Sequence, residues 1–89
     1  MVIKRRSDVE IIKDIISVSQ DGVKKTKILY KVNLSFVQLQ SYLSYLIDQN
    51  ILEEKLIETD GFKNDRIYKS TPKGDKLLSN INKTLSYFE

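Results

Sequence analysis

Residues 25–49 read KTKILYKVNLSFVQLQSYLSYLIDQ, a stretch in which two helical patterns flank a short polar break. The first pattern places Ile28, Leu29 and Val32 on one apolar face and predicts a helix over roughly residues 25–32. A helix this short is not stable alone, so its apolar face must pack on other parts of the chain.

The break at Asn33-Leu34 predicts a tight turn, and a longer helix begins directly after it. Ser35 and Gln38 have the spacing of a capping box, in which each side chain accepts a hydrogen bond from the other residue's backbone N–H. We expect this helix to run to about Asn50. Its predicted core stripe is Leu39, Tyr42 or Leu43, and Leu46.

An earlier helix is predicted upstream of this pair. Ser7-Asp8-Val9-Glu10 fits a second capping box, and Asp21-Gly22 ends the helical pattern. The apolar residues form two stripes, Val9, Ile12 and Ile16 beside Ile11, Ile15 and Val18. Two stripes indicate that the helix is covered on two sides.

Downstream of the pair the pattern changes to that of strands. Ile51–Thr59 and Arg66–Thr71 mix β-branched, aromatic and charged residues, and the turn formers of residues 60–65 separate them. This predicts a two-stranded hairpin with a loose tip. The adjacent pairs Glu53-Glu54 and Leu56-Ile57 interrupt the alternation and predict a bulge or a local twist.

A final helix begins at Thr71-Pro72, with threonine as the N-cap and proline at the first helical position. The predicted order is helix, helix, helix, hairpin, helix. This is a mainly α fold with a small β-hairpin (α+β), a winged helix-turn-helix in one domain. Its parts are a basic N-terminal arm (1–6), the helix-turn-helix (25–49), the wing (51–71) and the C-terminal helix (72–88).

Composition removes several classes of function. The 89 residues include no cysteine and no histidine, which excludes disulfides, most metal-ligand sets and the usual nucleophile–base pairs. Glu53 and Glu54 lie on opposite faces of a predicted strand and form no catalytic pair. We therefore expect no enzyme, no metal and no cofactor, and no small-molecule ligand is evident from the sequence. No apolar run approaches the ~20 residues of a membrane span, so we expect a soluble cytoplasmic protein.

Two stretches resemble a known family. Residues 25–35 resemble the second helix and turn of small archaeal winged helix-turn-helix regulators, and residues 67–74 resemble their last wing strand and final helix start. The second stretch carries the pattern Tyr-x-x-Thr-x-Lys-Gly. The resemblance implies double-stranded DNA binding and transcriptional regulation. Some relatives are abundant chromatin-type proteins that dimerise through a long C-terminal helix, whereas the helix here is shorter.

Charge is segregated along the chain. The net charge is +3, and residues 22–47 contain four lysines and no acidic residue. Lys24, Lys25 and Lys27, with Thr26 among them, lie at the start of the second predicted helix. In a helix-turn-helix this element crosses the DNA backbone, so we expect these four residues to contact phosphates. The alternative is a cluster that serves solubility alone.

The third predicted helix is the candidate recognition helix. It is uncharged from Ser35 to Ile47, which is unusual for a surface that meets only water. Glutamine can bond adenine in the major groove, and serine can bond several bases. The alternative is an ordinary solvated face. The candidate DNA contacts on it are Ser35, Val37, Gln38, Gln40, Ser41, Ser44 and Tyr45.

The wing and the arm offer further cations. Lys63, Asn64 and Arg66 lie at the predicted wing tip, where Arg66 suits the minor groove and Asp60 and Asp65 could instead pair with the basic residues. Lys4, Arg5 and Arg6 could lie along DNA or serve no role in binding.

The chain has more apolar helix surface than one small core needs. Leu78, Ile81, Leu85 and Phe88 follow a 3-4-3 spacing, and with Ile11 and Ile15 they form the candidate homodimer surface. Two recognition helices would then lie about one DNA turn apart, ~34 Å.

Tyr30, Tyr42 and Tyr68 are predicted to be core residues. A protein–protein interaction module without DNA binding stays as the alternative function.

Overall fold

The computed structural model describes residues 8–59 and 63–88, without the side chains at positions 58, 59, 63 and 64. Within them, four helices and a two-stranded antiparallel hairpin follow one another in the predicted order. The elements are α1 (Asp8–Ser19), α2 (Lys25–Val32), α3 (Phe36–Asp48), β1 (Leu52–Thr59), β2 (Lys63–Ser70) and α4 (Pro72–Ser86). The fold is therefore the predicted winged helix.

One apolar core holds the three N-terminal helices together. Ile15 and Ile16 of α1 are fully buried, and Ile28 and Val32 of α2 meet them there. From α3, Leu43 fills the core position that the sequence left open between residues 42 and 43. The N-cap predicted for α1, Ser7, lies outside the described residues.

Tyr42 lies only half-buried at the edge of this core, and its hydroxyl donates a hydrogen bond to Asp8 Oδ1 at 2.5 Å. The prediction that Tyr30 is a core residue was wrong, because its side chain is 84% exposed. Ile28 and Val32 are four residues apart and turn one side of α2 inward, which leaves Tyr30 on the opposite side. Tyr68 is buried as predicted.

The turn between α2 and α3 is built by local chemistry. Asn33 adopts the left-handed conformation with φ of 58°, and its N–H donates to the Leu29 carbonyl. Ser35 Oγ accepts from the Gln38 N–H at 3.2 Å, and Gln38 Oε1 accepts from the Ser35 N–H at 3.0 Å. The predicted capping box is thus confirmed and fixes where α3 begins.

Replacing Ser35 by alanine should destabilise the protein by about 1 kcal/mol, because α3 loses one arm of its capping box. The free energy of unfolding in urea would measure this. Ser44→Ala, an exposed position within the same helix, is the control and should change it by less than about 0.5 kcal/mol. Equal effects of the two substitutions would contradict the capping role.

The hairpin has an uninterrupted register from Leu52 opposite Ser70 to Thr59 opposite Lys63. The predicted bulge was wrong, since each residue of β1 has a single partner. Leu52 is buried at the base of the hairpin, whereas Leu56 is 63% exposed further out. The outer part leaves the core, so its sequence needs no strict alternation of apolar and polar residues.

The hairpin is tied to the helices at its base. Val23, in the loop between α1 and α2, pairs with Tyr68 through two backbone hydrogen bonds of 3.0 and 2.7 Å. This bridge places the start of α2 beside the wing. On the other side, Thr71 caps α4 as predicted, accepting from the Gly74 N–H at 3.0 Å.

Across the described stretches of chain, helix length and apolar content fall short of what crossing a lipid bilayer requires.

Candidate nucleic-acid interface

The start of α2 concentrates positive charge where the helix dipole is also positive. Lys24 is the N-cap and makes no side-chain capping bond, Lys25 follows it, and the first turn contains no acidic residue. Thr26 and Lys27 are exposed beside them. Cations at a helix N-terminus are unfavourable by themselves, and an anion bound there would relieve the repulsion.

The wing brings a second source of positive charge to the same place. Lys24, Thr26 and Arg66 line one cleft between the α2 start and the wing, together with Tyr68 at its base. The sequence alone gave no reason to expect this proximity, which depends on the bridge between Val23 and Tyr68.

Two carboxylates share this cleft with the cations. Lys24 Nζ lies 2.9 Å from Asp65 Oδ2, and Arg66 Nη1 lies 3.2 Å from Glu54 Oε1. Asp65, expected from the sequence to pair with basic residues of its own loop, thus pairs with α2 across the cleft. Both ion pairs are open to solvent, so phosphates can compete for these cations.

Tyr68 contacts Glu54, the acidic member of the ion pair with Arg66. Burial, and next the nearby Glu54 carboxylate, raise the pKa of the Tyr68 hydroxyl above its ordinary value. The hydroxyl therefore stays protonated at neutral pH and hydrogen-bonds to Glu54. Glu54 therefore has two partners here, the Tyr68 hydroxyl and Arg66.

The outer face of α3 lies next to this cleft. All seven α3 candidates, Ser35, Val37, Gln38, Gln40, Ser41, Ser44 and Tyr45, are exposed. Ser35 and Gln38 also serve the capping box, so their first role is to begin the helix. Tyr45 is 54% exposed and points outward as predicted.

One contact joins the basic start of α2 to this face. Lys25 Nζ donates to Gln40 Oε1 at 2.6 Å and lies 5.2 Å from the centre of the Phe36 ring. Sequence reasoning missed Phe36, which is 60% exposed at the first position of α3. A large aromatic residue at an outward position was the signal that could have identified it.

Some predicted DNA contacts cannot be placed. The side chains of Lys63 and Asn64 lie outside the described part of the molecule, although their backbone belongs to β2. Lys4, Arg5 and Arg6 of the basic arm also lie outside the described residues.

The candidate dimer surface is smaller than the sequence suggested. Ile15 is fully buried and Leu78 is 7% exposed, because α1 and α4 pack against each other within one chain. These two residues therefore do not contribute to a dimer surface. Of the rest, Ile11, Ile81 and Leu85 are half-buried and Phe88 is exposed.

The family of the chain follows from comparison with known proteins. A family model described as winged helix-turn-helix matches residues 5–88. The chain belongs to this family.

Among the described residues, no three histidine, cysteine, aspartate or glutamate side chains are grouped as metal ligands would be.

One relative comes from an archaeon. The uncharacterized protein MJ0290 of Methanocaldococcus jannaschii is 35% identical over 78 residues, which are 86% of this chain. The chain spans about a third (33%) of the length of that relative.

Solved structures share the fold. The crystal structure of Sso10a-2, a DNA-binding protein from Sulfolobus solfataricus, has a TM-score of 0.79 at 26% identity, covering 92% of this chain and 81% of that chain. The structure of smu.1704 from Streptococcus mutans superimposes with a TM-score of 0.83 at 18% identity, covering 97% and 86%. At this lower identity the similarity shows the fold alone.

Proposed function

We propose that this protein is a double-stranded DNA-binding transcriptional regulator, with α3 in the major groove and α2 and the wing on phosphates. The observation that carries the proposal is an uncharged, exposed α3 face bordered by the basic cleft of α2 and the wing. Recognition of a duplex needs side chains that reach the base edges, and beside them cations that contact the phosphates. The name of Sso10a-2 as a DNA-binding protein supports the same conclusion.

The electrostatics of the cleft match the DNA backbone. Lys24, Lys25, Lys27 and Arg66 provide four cations, three at the start of α2 and one on β2. Each neutralised phosphate releases condensed counterions, which makes affinity fall with salt. Thr26 and the backbone N–H groups of the first turn of α2 can add hydrogen bonds to phosphate oxygens.

Binding to a random-sequence duplex of about 30 base pairs tests the proposal. Fluorescence anisotropy over about 50 to 200 mM salt would give the affinity and its salt dependence. With about six phosphate contacts, log affinity should fall against log salt with a slope near −5. A folded protein that binds no duplex at low salt would contradict the proposal.

Asp65 should lower the affinity of the protein for DNA. Replacing it by asparagine frees Lys24 from its 2.9 Å ion pair and removes a carboxylate that repels phosphate. We expect Asp65→Asn to bind the random duplex about three- to tenfold more tightly at low salt. The same anisotropy assay measures the change.

The matched control for this prediction is Asp14→Asn. Asp14 forms an ion pair of 3.6 Å with Lys13 on α1, and its side chain is 36% exposed, against 37% for Asp65. Both substitutions raise the net charge by one. If Asp14→Asn strengthens binding as much as Asp65→Asn does, net charge alone explains the gain and the local role of Asp65 is refuted.

The protein is further proposed to act as a homodimer through α4. Ile81 and Leu85 lie four residues apart on α4, Phe88 follows the end of the helix, and Ile11 of α1 adds apolar surface. Phe88 is 82% exposed, so a single chain leaves a large aromatic group uncovered. A dimer would present two α3 helices to one duplex and favour a palindromic or repeated site.

Replacing Phe88 by serine should raise the dimer dissociation constant about tenfold or more, because a large buried aromatic contact is lost. Sedimentation equilibrium measures the constant. Tyr87→Ser is the control, since Tyr87 is equally exposed but lies outside the predicted spacing. A wild-type protein that stays monomeric at high concentration contradicts the dimer.

A second function is favoured by the apolar side chains on α3. Phe36, Val37 and Tyr45 are all more than half exposed, as in a surface that binds protein. A protein-interaction module would show no salt-dependent duplex binding. Its binding to a protein partner would also not depend on the charge of Lys24, Lys25 and Lys27.

A further inference from the structure

The outward face of α3 contains an apolar concavity. Two apolar and three polar side chains line it, namely Phe36, Val37, Gln40, Ser41 and Ser44. Val37 is 75% exposed and Phe36 is 60% exposed, so the other described residues leave most of both apolar side chains open to solvent. The concavity lies on the same face as the contact between Lys25 and Gln40.

The hydrogen-bonding groups around the concavity are restricted. From Ser35 to Ile47 α3 has neither arginine nor lysine, the residues that most often contact guanine. Gln40 Oε1 accepts from Lys25, so the group that Gln40 turns to a ligand is its amide nitrogen, a donor. The serine hydroxyls can donate or accept.

We infer that this concavity receives the C5-methyl group of thymine, which Val37 and Phe36 contact while Gln40 donates to an adjacent base acceptor. The inference rests on the proposed DNA binding and specifies the ligand of the same face. Thymine alone among the four bases places a methyl group in the major groove, and beside it lies the O4 acceptor. Adenine offers N7 as an acceptor at the neighbouring position.

The basic cleft supports this occupant over a protein segment. Lys24, Lys25 and Arg66 line the cleft between α2 and the wing, and they suit the phosphates that accompany thymine in a duplex. An apolar peptide would satisfy Phe36 and Val37 but would make no use of these cations. The preferred target is therefore A·T-rich DNA, recognised through its methyl groups.

Two duplexes of one A·T-rich sequence, one with thymine and the other with uracil, test the inference. They differ only in the C5-methyl group. The wild type should bind the uracil duplex about fourfold more weakly for each recognised methyl. Val37→Ala should discriminate between the duplexes less than the wild type does, because one of the two apolar contacts to the methyl group is gone.

The control variant is Val9→Ala, since Val9 is also an exposed valine but lies on α1. It should discriminate as the wild type does. Equal wild-type binding to the two duplexes overturns the inference and leaves the proposed function intact. Full discrimination by Val37→Ala also overturns it. Wild-type binding to neither duplex overturns the proposed function, and the inference with it.

Discussion

Replacing Gly74 by alanine is expected to destabilise the fold by about 3 kcal/mol, the upper part of the range for overpacking. Within a helix, alanine is normally about 1 kcal/mol better than glycine, so propensity alone predicts the opposite sign. A Cβ at Gly74 would lie 2.2 Å from the Ile51 carbonyl oxygen and 3.1 Å from its carbon. Both are backbone atoms, so α4 would have to move away from the start of the hairpin.

Urea unfolding of Gly74→Ala beside the wild type measures this effect. The control is Asn82→Ala, which also places alanine in α4 but at an exposed position. Asn82→Ala should be neutral or slightly stabilising. A Gly74→Ala variant as stable as the wild type would contradict the close approach of α4 to residue 51.

The largest effect on binding is expected from replacing Lys24, Lys25 and Lys27 together by alanine. Each lysine assigned to a phosphate contributes about 0.9 to the salt slope, so the slope should become less negative by nearly three. At about 0.1 M salt, affinity for the random duplex should fall about a hundredfold or more. The loss should be similar for every sequence, since phosphates carry no base identity.

The control is a triple variant with the same change in net charge. Lys13, Lys76 and Lys83 lie on α1 and α4, and none of them lines the cleft. Replacing these three by alanine should lower affinity only a fewfold, through the long-range field. If both triple variants lose the same affinity, the start of α2 has no special role in binding.

Local chemistry was the part of the fold that the sequence predicted well. α2 has the predicted bounds, Ser35 and Gln38 form the predicted capping box, and Thr71 caps α4 before Pro72. Each of these features depends on residues no more than a few positions apart. Such interactions are formed by the side chains of the segment itself, so a sequence pattern is enough to identify them.

Features that depend on distant residues were predicted less well. The ion pair between Lys24 and Asp65 requires the wing to lie beside α2, which only the bridge between Val23 and Tyr68 brings about. A wide apolar stripe shows that Ile15 is covered, but not whether the same chain or a second one covers it. The packing of α1 on α4 within one chain decides this.

The candidate site divides in the same way. The exposed α3 face could be predicted because burying Leu39 and Leu46 leaves the opposite side of the helix outward. The contact of Lys25 with Phe36 and Gln40 could not, because it joins the start of α2 to α3. That contact is set by the angle between two helices, which no pattern in residues 25–49 specifies.

The central claim is that α3 contacts the bases while α2 and the wing contact phosphates. The most direct measurement is a titration of isotopically labelled protein with unlabelled duplex, followed by amide chemical shifts. We expect the largest changes in amide chemical shift at the start of α2, on the outer face of α3 and near Arg66 in β2, and only small changes in α1. Shifts that are absent, or that leave all three regions unchanged, would contradict it.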